Sequence, residues 1–153
     1  MSGSDYNATI IEEFRANAGR VGGSFEGTPL LLLRHTGARS GEKRVNPLAY
    51  QRDDGRYVVF ASKGGAPQNP GWYHNLKAHP DAAIEVGTNT IEVLASEASG
   101  EERERLFHTQ AERVPQFAEY ERRAERTIPV MVLTPRAAAL AASGARGVRR
   151  PWR

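Results

Sequence analysis

Residues 36–80 read TGARSGEKRVNPLAYQRDDGRYVVFASKGGAPQNPGWYHNLKAHP, and this stretch decides how the chain is organised. It holds a glycine- and cation-rich loop, a strand that carries a proline, a second strand, a Ser-Lys-Gly-Gly loop and the start of a helix. Arg44–Gln51 is expected to be a strand. Pro47 inside it removes one ladder donor, which puts the strand at a sheet edge or at a bulge. Asp53-Asp54-Gly55 is a hairpin signal. Beyond it Arg56–Ser62 alternates, with Tyr57, Val59 and Ala61 on one face and Val58 and Phe60 on the other. A proline has no N–H to lose in a first helical turn, so Pro70 opens a short helix to about Ala78.

Working outward, the apolar run Leu30–His35 reads as a buried strand and Thr36–Gly41 as a loop. Ala82–Val86 and Thr90–Ala95 form a hairpin over Gly87-Thr88-Asn89. Asp5–Ala18 reads as an amphipathic helix with Tyr6, Ile10, Ile11, Phe14 and Ala18 near one face and Ser4 or Asp5 as cap. Ser99-Gly100-Glu101-Glu102 matches a capping box, so a helix starts there and turns Leu106, Phe107, Ala111 and Val114 inward. Pro115 restarts a shorter helix with Phe117, Tyr120 and Ala124 along one face. Ile128–Thr134 is a last strand, and the Ala/Gly/Arg-rich segment Arg136–Arg153 reads as a frayed or disordered tail. About six strands with short connections predict a compact, antiparallel, barrel-like sheet with flanking helices, mainly β in an α+β class, and not an alternating βαβ fold. The expected organisation is a helical arm over 1–22, a barrel domain over 23–135 and a basic tail over 136–153.

The chain has 153 residues, the size of one domain of about 100–200 residues. Its 39% apolar and 25% charged content is that of a globular protein. It has no cysteine, which excludes disulfides, thiol nucleophiles, iron–sulfur clusters and cysteine zinc sites. The net charge of +3 suits an anionic ligand, an anionic lipid or a nucleic acid and chooses none of them. Basic residues are not interleaved with aromatics on a strand, so nucleic acid is not expected as a partner. The longest apolar run, Pro29–Leu33, is far short of a membrane span of roughly 20 residues, and the acidic N-terminus does not resemble an export signal. A cytoplasmic protein is expected, with a weak membrane contact through the first helix as the alternative and a homodimer as a possible assembly. No G-x-G-x-x-G or Walker loop is present. The four histidines, His35, His74, His79 and His108, lack metal-ligand spacing. They are read as structural or surface groups, and no metal is expected. No Ser–His–Asp arrangement is proposed.

The 37–44 loop sets three cations and a hydroxyl around two glycines. Glycines let backbone N–H groups approach an anion closely. Arg39 and Arg44 can grip phosphate oxygens in pairs, and Lys43 adds a point charge. The plainer alternative is a hairpin loop whose cations face water. Ala61-Ser62-Lys63-Gly64-Gly65 ends a strand on small residues that admit a planar ring, and Ser62 and Lys63 could bond the edge of such a ring. Trp72 and Asn75 share one side of the short helix, where Trp72 could wall a ring and Asn75 could donate to it. Plain core is the alternative role for Trp72. Together these residues suit a phosphorylated, flat, anionic cofactor.

Three motifs carry a family resemblance: T-G-x-x-[ST]-G-x-x-R-x-N-P-L at 36–48, A-S-K-G-G at 61–65 and N-P-x-W-Y-x-N-L-K-A-x-P at 69–80. In this order they resemble the deazaflavin-dependent nitroreductase family of actinobacteria, with weaker similarity through R-T-I-P-V at 126–130. The resemblance implies a split β-barrel related to flavin-binding oxidases. It also implies the 8-hydroxy-5-deazaflavin coenzyme F-420 as cofactor, with FMN as the alternative. By position, Arg39, Ser40, Lys43 and Arg44 would hold the phosphate region. Val45, Asn46 and Pro47 would line the deazaflavin, with Ala61, Ser62, Lys63, Trp72 and Asn75 on its other edges. The chain has Ala38 where the family's nitroaromatic-reducing member has a basic residue, and Gly71 where it has a bulky thioether. At the positions matching its substrate-facing tyrosines stand Val114, Phe117 and Tyr120. The implied activity is hydride transfer from the reduced cofactor to a small electron-poor acceptor (a quinone, nitro compound or enone). Tyr120 and Ser62 would polarise the acceptor. A non-catalytic flavin- or deazaflavin-binding protein is the alternative.

Overall fold

The computed structural model describes residues 3–23 and 29–137, with side chains from residue 7 onward. The expected face position of Tyr6 and almost all of the basic tail lie outside the described residues. Strand β1 (Leu30–Thr36) shows why an unbroken apolar run is needed here. Successive side chains of a strand point to opposite faces, and both faces of β1 are covered. Leu31 and Leu33 enter the inner core. Leu30 and Leu32 meet Ile10, Phe14 and Val21 from helix α1 (Gly3–Ala16) and the segment after it. Strand β2 (Lys43–Ala49) runs antiparallel to β1 with Pro47 opposite Leu32. It is an edge strand, as its proline requires.

The sheet has seven strands, not six. Beyond β2 come β3 (Gln51–Asp53), β4 (Arg56–Phe60), β5 (Asp81–Val86), β6 (Asn89–Glu97) and β7 (Val130–Pro135), in the spatial order β2-β1-β5-β6-β7-β4-β3. The expected single strand through Arg44–Gln51 breaks at Tyr50 for a simple reason. Ala49 pairs with Leu30, the first residue of β1, so the next residues have nothing left to pair with. Gln51–Asp53 therefore pair with β4 on the opposite edge of the sheet. The chain passes directly from one edge to the other at Tyr50, whose N–H donates to the Pro29 carbonyl at 3.2 Å. That passage curls the sheet into a half-barrel.

The curled sheet buries a core on each face. Inside lie Leu31, Leu33, Val59, Ile84, Val93, Met131 and Leu133, joined by Trp72 and Leu76 of helix α2 (Gly71–Ala78). Outside, Val58, Phe60, Val130 and Val132 meet Leu106 and Phe107 of helix α3 (Gly100–Arg113), and Phe117 and Tyr120 of helix α4 (Gln116–Ala124) pack onto the same cluster. Helix α3 starts where expected, but without the capping box. Ser99 makes no side-chain cap, and Glu102 reaches Arg56 at 3.1 Å instead. Arg103 and Gln110, polar in sequence, are buried. Arg103 bonds the Ile128 carbonyl and Glu121, and Gln110 accepts from Gln51 at 3.2 Å. Helix α1 leaves through Gly19, whose φ is +94° and whose Cβ position lies 2.8 Å from the Gly87 Cα. Only glycine lets this segment sit against the β5–β6 turn. The Arg15 guanidinium grips Glu85 at 2.6 and 3.0 Å beside it.

Asp53, in the β3–β4 hairpin, ties that hairpin to α3 through Arg105 and also bonds Arg56 of its own hairpin. These bonds, Arg105 first, hold its carboxyl down at about 2, below its usual 3.8. A carboxyl lowered by folding stabilises the protein above its unfolded value, and that stabilisation is lost as pH falls through the folded value. Asp53→Asn is therefore expected to cost about 1–2 kcal/mol at pH 7. In urea unfolding at stepped pH, the variant and wild type should converge between pH 4 and 2. A constant difference across that window would contradict the assignment.

Candidate functional site

The turn between β1 and β2 closes on itself. Gly37 N–H donates to the Glu42 carbonyl at 2.8 Å, Gly41 N–H to the Gly37 carbonyl at 3.0 Å, and Glu42 N–H to Ser40 Oγ at 3.1 Å. This compact loop stands opposite the Lys63 loop and the start of α2, and a cleft of about 920 Å³ lies between them. One hydrogen bond ties the two walls: Ala38 N–H donates to Asn75 Oδ1 at 2.8 Å.

The cleft brings together Arg39, Ser40, Arg44, Asn46, Lys63, Trp72 and Asn75. Strand parity explains most of what it leaves out. Arg44 and Asn46 alternate toward the cleft, so Lys43, Val45 and Pro47 point to the other face of β2. Lys43 Nζ donates to Thr36 Oγ1 at 3.2 Å and lines a smaller groove of about 540 Å³ with Arg34 and Arg136. Val45 packs against the α1 cluster. Ala61 is fully buried in the inner core, and Ser62 is buried. Neither lines the cleft. Tyr120 also lies outside its lining, half-buried on α4 with its ring against Phe117. Trp72 unites its two candidate roles: it belongs to the core and walls the cleft. Arg44 faces Glu42 at 3.5 Å, whereas Arg39 and Lys63 have no ion-pair partner among the described residues.

Sequence reasoning gives no site role to two residues here: Arg126 stands only within R-T-I-P-V, and His35 is read only as a structural or surface histidine. The first is Arg126. Its guanidinium donates to the carbonyls of Ala61, Ser62, Ala66 and Gln68 at 3.0–3.3 Å and to Asn69 Oδ1. One planar fork thus holds the whole loop that presents Lys63. Lys63 itself sits at φ +48°, a left-handed conformation that a non-glycine residue keeps only when its surroundings impose it. At Gly65, φ +89°, the Cβ position lies 3.4 Å from the Tyr120 Cα. A glycine there lets α4 abut the loop. No spacing rule connects Arg126 to 61–69, so only the R-T-I-P-V resemblance pointed near it. The second is His35, 3% exposed. Its Nε2 lies 2.8 Å from Asn46 Oδ1 and its Nδ1 3.0 Å from Asn75 Nδ2. Burial, helped by the charge on Arg44, pushes its imidazole below the usual range, against the Asn46 hydrogen bond. Period two would have found it, because Leu31, Leu33 and His35 share one face of β1.

The half-barrel, with its basic loop set against a tryptophan-bearing helix, has the split-barrel fold of a deazaflavin-dependent reductase. The chain belongs to the F420H(2)-dependent quinone reductase family, whose profile matches residues 8–135. It is 42% identical over 127 residues to an F420H(2)-dependent quinone reductase of Mycobacterium tuberculosis, spanning 80% of this chain and 85% of that one. Among solved structures it is similar to an F420-H2 dependent reductase, FDR-A, with a TM-score of 0.64 and 40% identity over 69% of this chain and 93% of that one. It is also similar to a domain-swapped dimer with a TM-score of 0.66 and 35% identity over 86% of this chain and 99% of that one. Among the described residues no helix is long and apolar enough to cross a membrane.

Arg126→Ala should leave several loop carbonyls unpaired and speed amide exchange across 61–69 by about tenfold or more. Arg126→Lys, which keeps the charge without the fork, should behave nearly as badly. Unchanged exchange in that segment would remove Arg126 from the site's support.

Proposed function

We propose that the cleft binds the reduced deazaflavin coenzyme F-420 and that the chain reduces a small electron-poor acceptor, a quinone first among them. Nitro compounds and conjugated carbonyls belong to the same electrophile class. The observation that carries this reading is the meeting of Arg39, Arg44 and Lys63 with Trp72 in one cleft, in a chain of this family. The donor set fits the cofactor. Three cations, two of them without a carboxylate partner, suit its phosphate and anionic tail. Trp72 offers a wall for a planar ring. At Gly71 an added Cβ would meet nothing within 4 Å, so there is open room beside that wall.

When bound, the reduced cofactor supplies a hydride from its C5 position. The protein's own part is to bind and orient. Arg39, Ser40 and Arg44 hold the phosphate end, and Asn46, Lys63 and Trp72 place the ring. Lys43 adds positive potential from the other face of β2, where Val45 and Pro47 hold the strand that presents Asn46, and Ala61 backs the site from the inner core. Ser62 acts through the conformation of its loop. Tyr120, on the helix that abuts Gly65, polarises the acceptor oxygen. A homodimer is the assembly proposed, on the strength of the swapped dimer among the solved relatives. Light scattering on the eluted protein reads it directly.

Stopped-flow mixing of the protein and reduced F-420 with menadione should show catalysed oxidation of the cofactor. Tight binding without turnover would make the chain a storage protein instead. Arg44→Ala should weaken cofactor binding by about 1–3 kcal/mol, and unchanged affinity would take it out of the site. Tyr120→Phe should lower kcat by roughly tenfold while leaving the cofactor Kd alone. A variant with wild-type kcat would show that Tyr120 only packs.

A further inference from the structure

One backbone N–H sets the direction of every hydrogen bond on the cleft floor. An N–H can only donate. Ala38 N–H meets the Asn75 side chain at 2.8 Å, so the amide oxygen of Asn75 must be the atom that faces it. The amide nitrogen then faces His35 Nδ1 at 3.0 Å. An amide nitrogen is a donor only, so Nδ1 must be an unprotonated acceptor. The imidazole is therefore neutral, with its proton on Nε2. That N–H donates across 2.8 Å to Asn46, so the oxygen of Asn46 faces the histidine. The Asn46 amine is left over, with no protein partner among the described residues, on a residue that lines the cleft. Reversing any link would set two donors against each other.

We propose that His35 is a positioning residue: by passing polarity from Ala38 through Asn75 to Asn46, it presents the Asn46 amine to the cleft as a fixed neutral donor for an acceptor edge of a planar heterocycle. The affinity part of this proposal rests on the cofactor reading above; the orientation part does not. Charge at the cleft supports it. His35 is closed off from water, and the cations around the cleft, Arg39, Arg44 and Lys63, all disfavour a further positive charge there. Asn75 has its oxygen taken by Ala38 and one amine hydrogen by His35, so Asn46 is the better placed donor of the two. An amide held before the ligand arrives loses little freedom on binding.

The tautomer can be read without any cofactor. Long-range ¹⁵N–¹H spectra of the free protein at neutral pH should give His35 the pattern of an Nε2–H imidazole with a bare Nδ1. An Nδ1–H or imidazolium pattern would overturn the proposal. Asn75→Asp keeps the acceptor for Ala38 but puts a carboxylate oxygen opposite Nδ1. It should draw a proton onto that atom at pH 7, and an unchanged His35 spectrum would overturn the proposal. In titrations with F-420, His35→Gln, which can both accept and donate, should stay within about threefold of the wild-type Kd, whereas His35→Leu should lose about tenfold or more. Equal losses in the two would reduce His35 to a packing role and overturn it. If His35→Leu does not fold, the tautomer and the Asn75→Asp spectrum still decide. A wild-type protein with the expected spectrum that binds no F-420 would overturn the cofactor reading while upholding the orientation of Asn46.

Discussion

The hydrogen bond from Ala38 N–H to Asn75 Oδ1 joins residues 37 positions apart and sets the width of the cleft. Without it the basic loop would be an ordinary turn between two strands, its cations in water. With it, the loop is fixed against a helix that is itself rooted in the core by Trp72 and Leu76. The same bond orients Asn75, and through Asn75 it orients His35 and Asn46. A rigid scaffold on both sides is what lets a glycine-rich loop act as a binding wall. Arg126 does for the Lys63 loop what Ala38 does for the basic loop, fastening main chain that has few partners of its own.

The half-barrel supplies the rest of the geometry. Because β2 and β3 are consecutive in the chain yet lie at opposite edges of the sheet, curling brings those edges toward each other. The turns at one end then gather around the inner core. The site sits where β1 and β2 run out of apolar residues: inward positions change from Leu31 and Leu33 to His35, and from Leu48 to Asn46 and Arg44. The pattern that builds the core therefore also decides which side chains reach the ligand.

Much of this was legible in the sequence. The alternation of Tyr57, Val59 and Ala61 against Val58 and Phe60 predicts the two faces of β4 as they stand. Pro47 marks its strand as an edge. The three spaced motifs identified the family, and the residues quoted in them supply most of the cleft lining. What was not legible has physical causes. The break at Tyr50 depends on where β1 begins, which is a matter of pairing and not of propensity. The resemblance carries Lys43, Val45 and Pro47 over by position together with Arg44 and Asn46, and only strand parity separates the two sets, because a strand sends neighbours to opposite faces. Arg126 acts on a loop some sixty residues away, and no local rule reaches that far. Ser99 has the residue type of a cap and makes no side-chain cap, and Glu102, its partner in the expected capping box, reaches Arg56 instead.

Hydrogen–deuterium exchange of the free protein against the protein saturated with reduced F-420 tests the central claim most directly. The account predicts slower exchange in two separated segments, 37–46 and 63–75, with little change elsewhere. Protection centred instead on the other large groove, around Glu97–Glu104 at the start of α3, would contradict it.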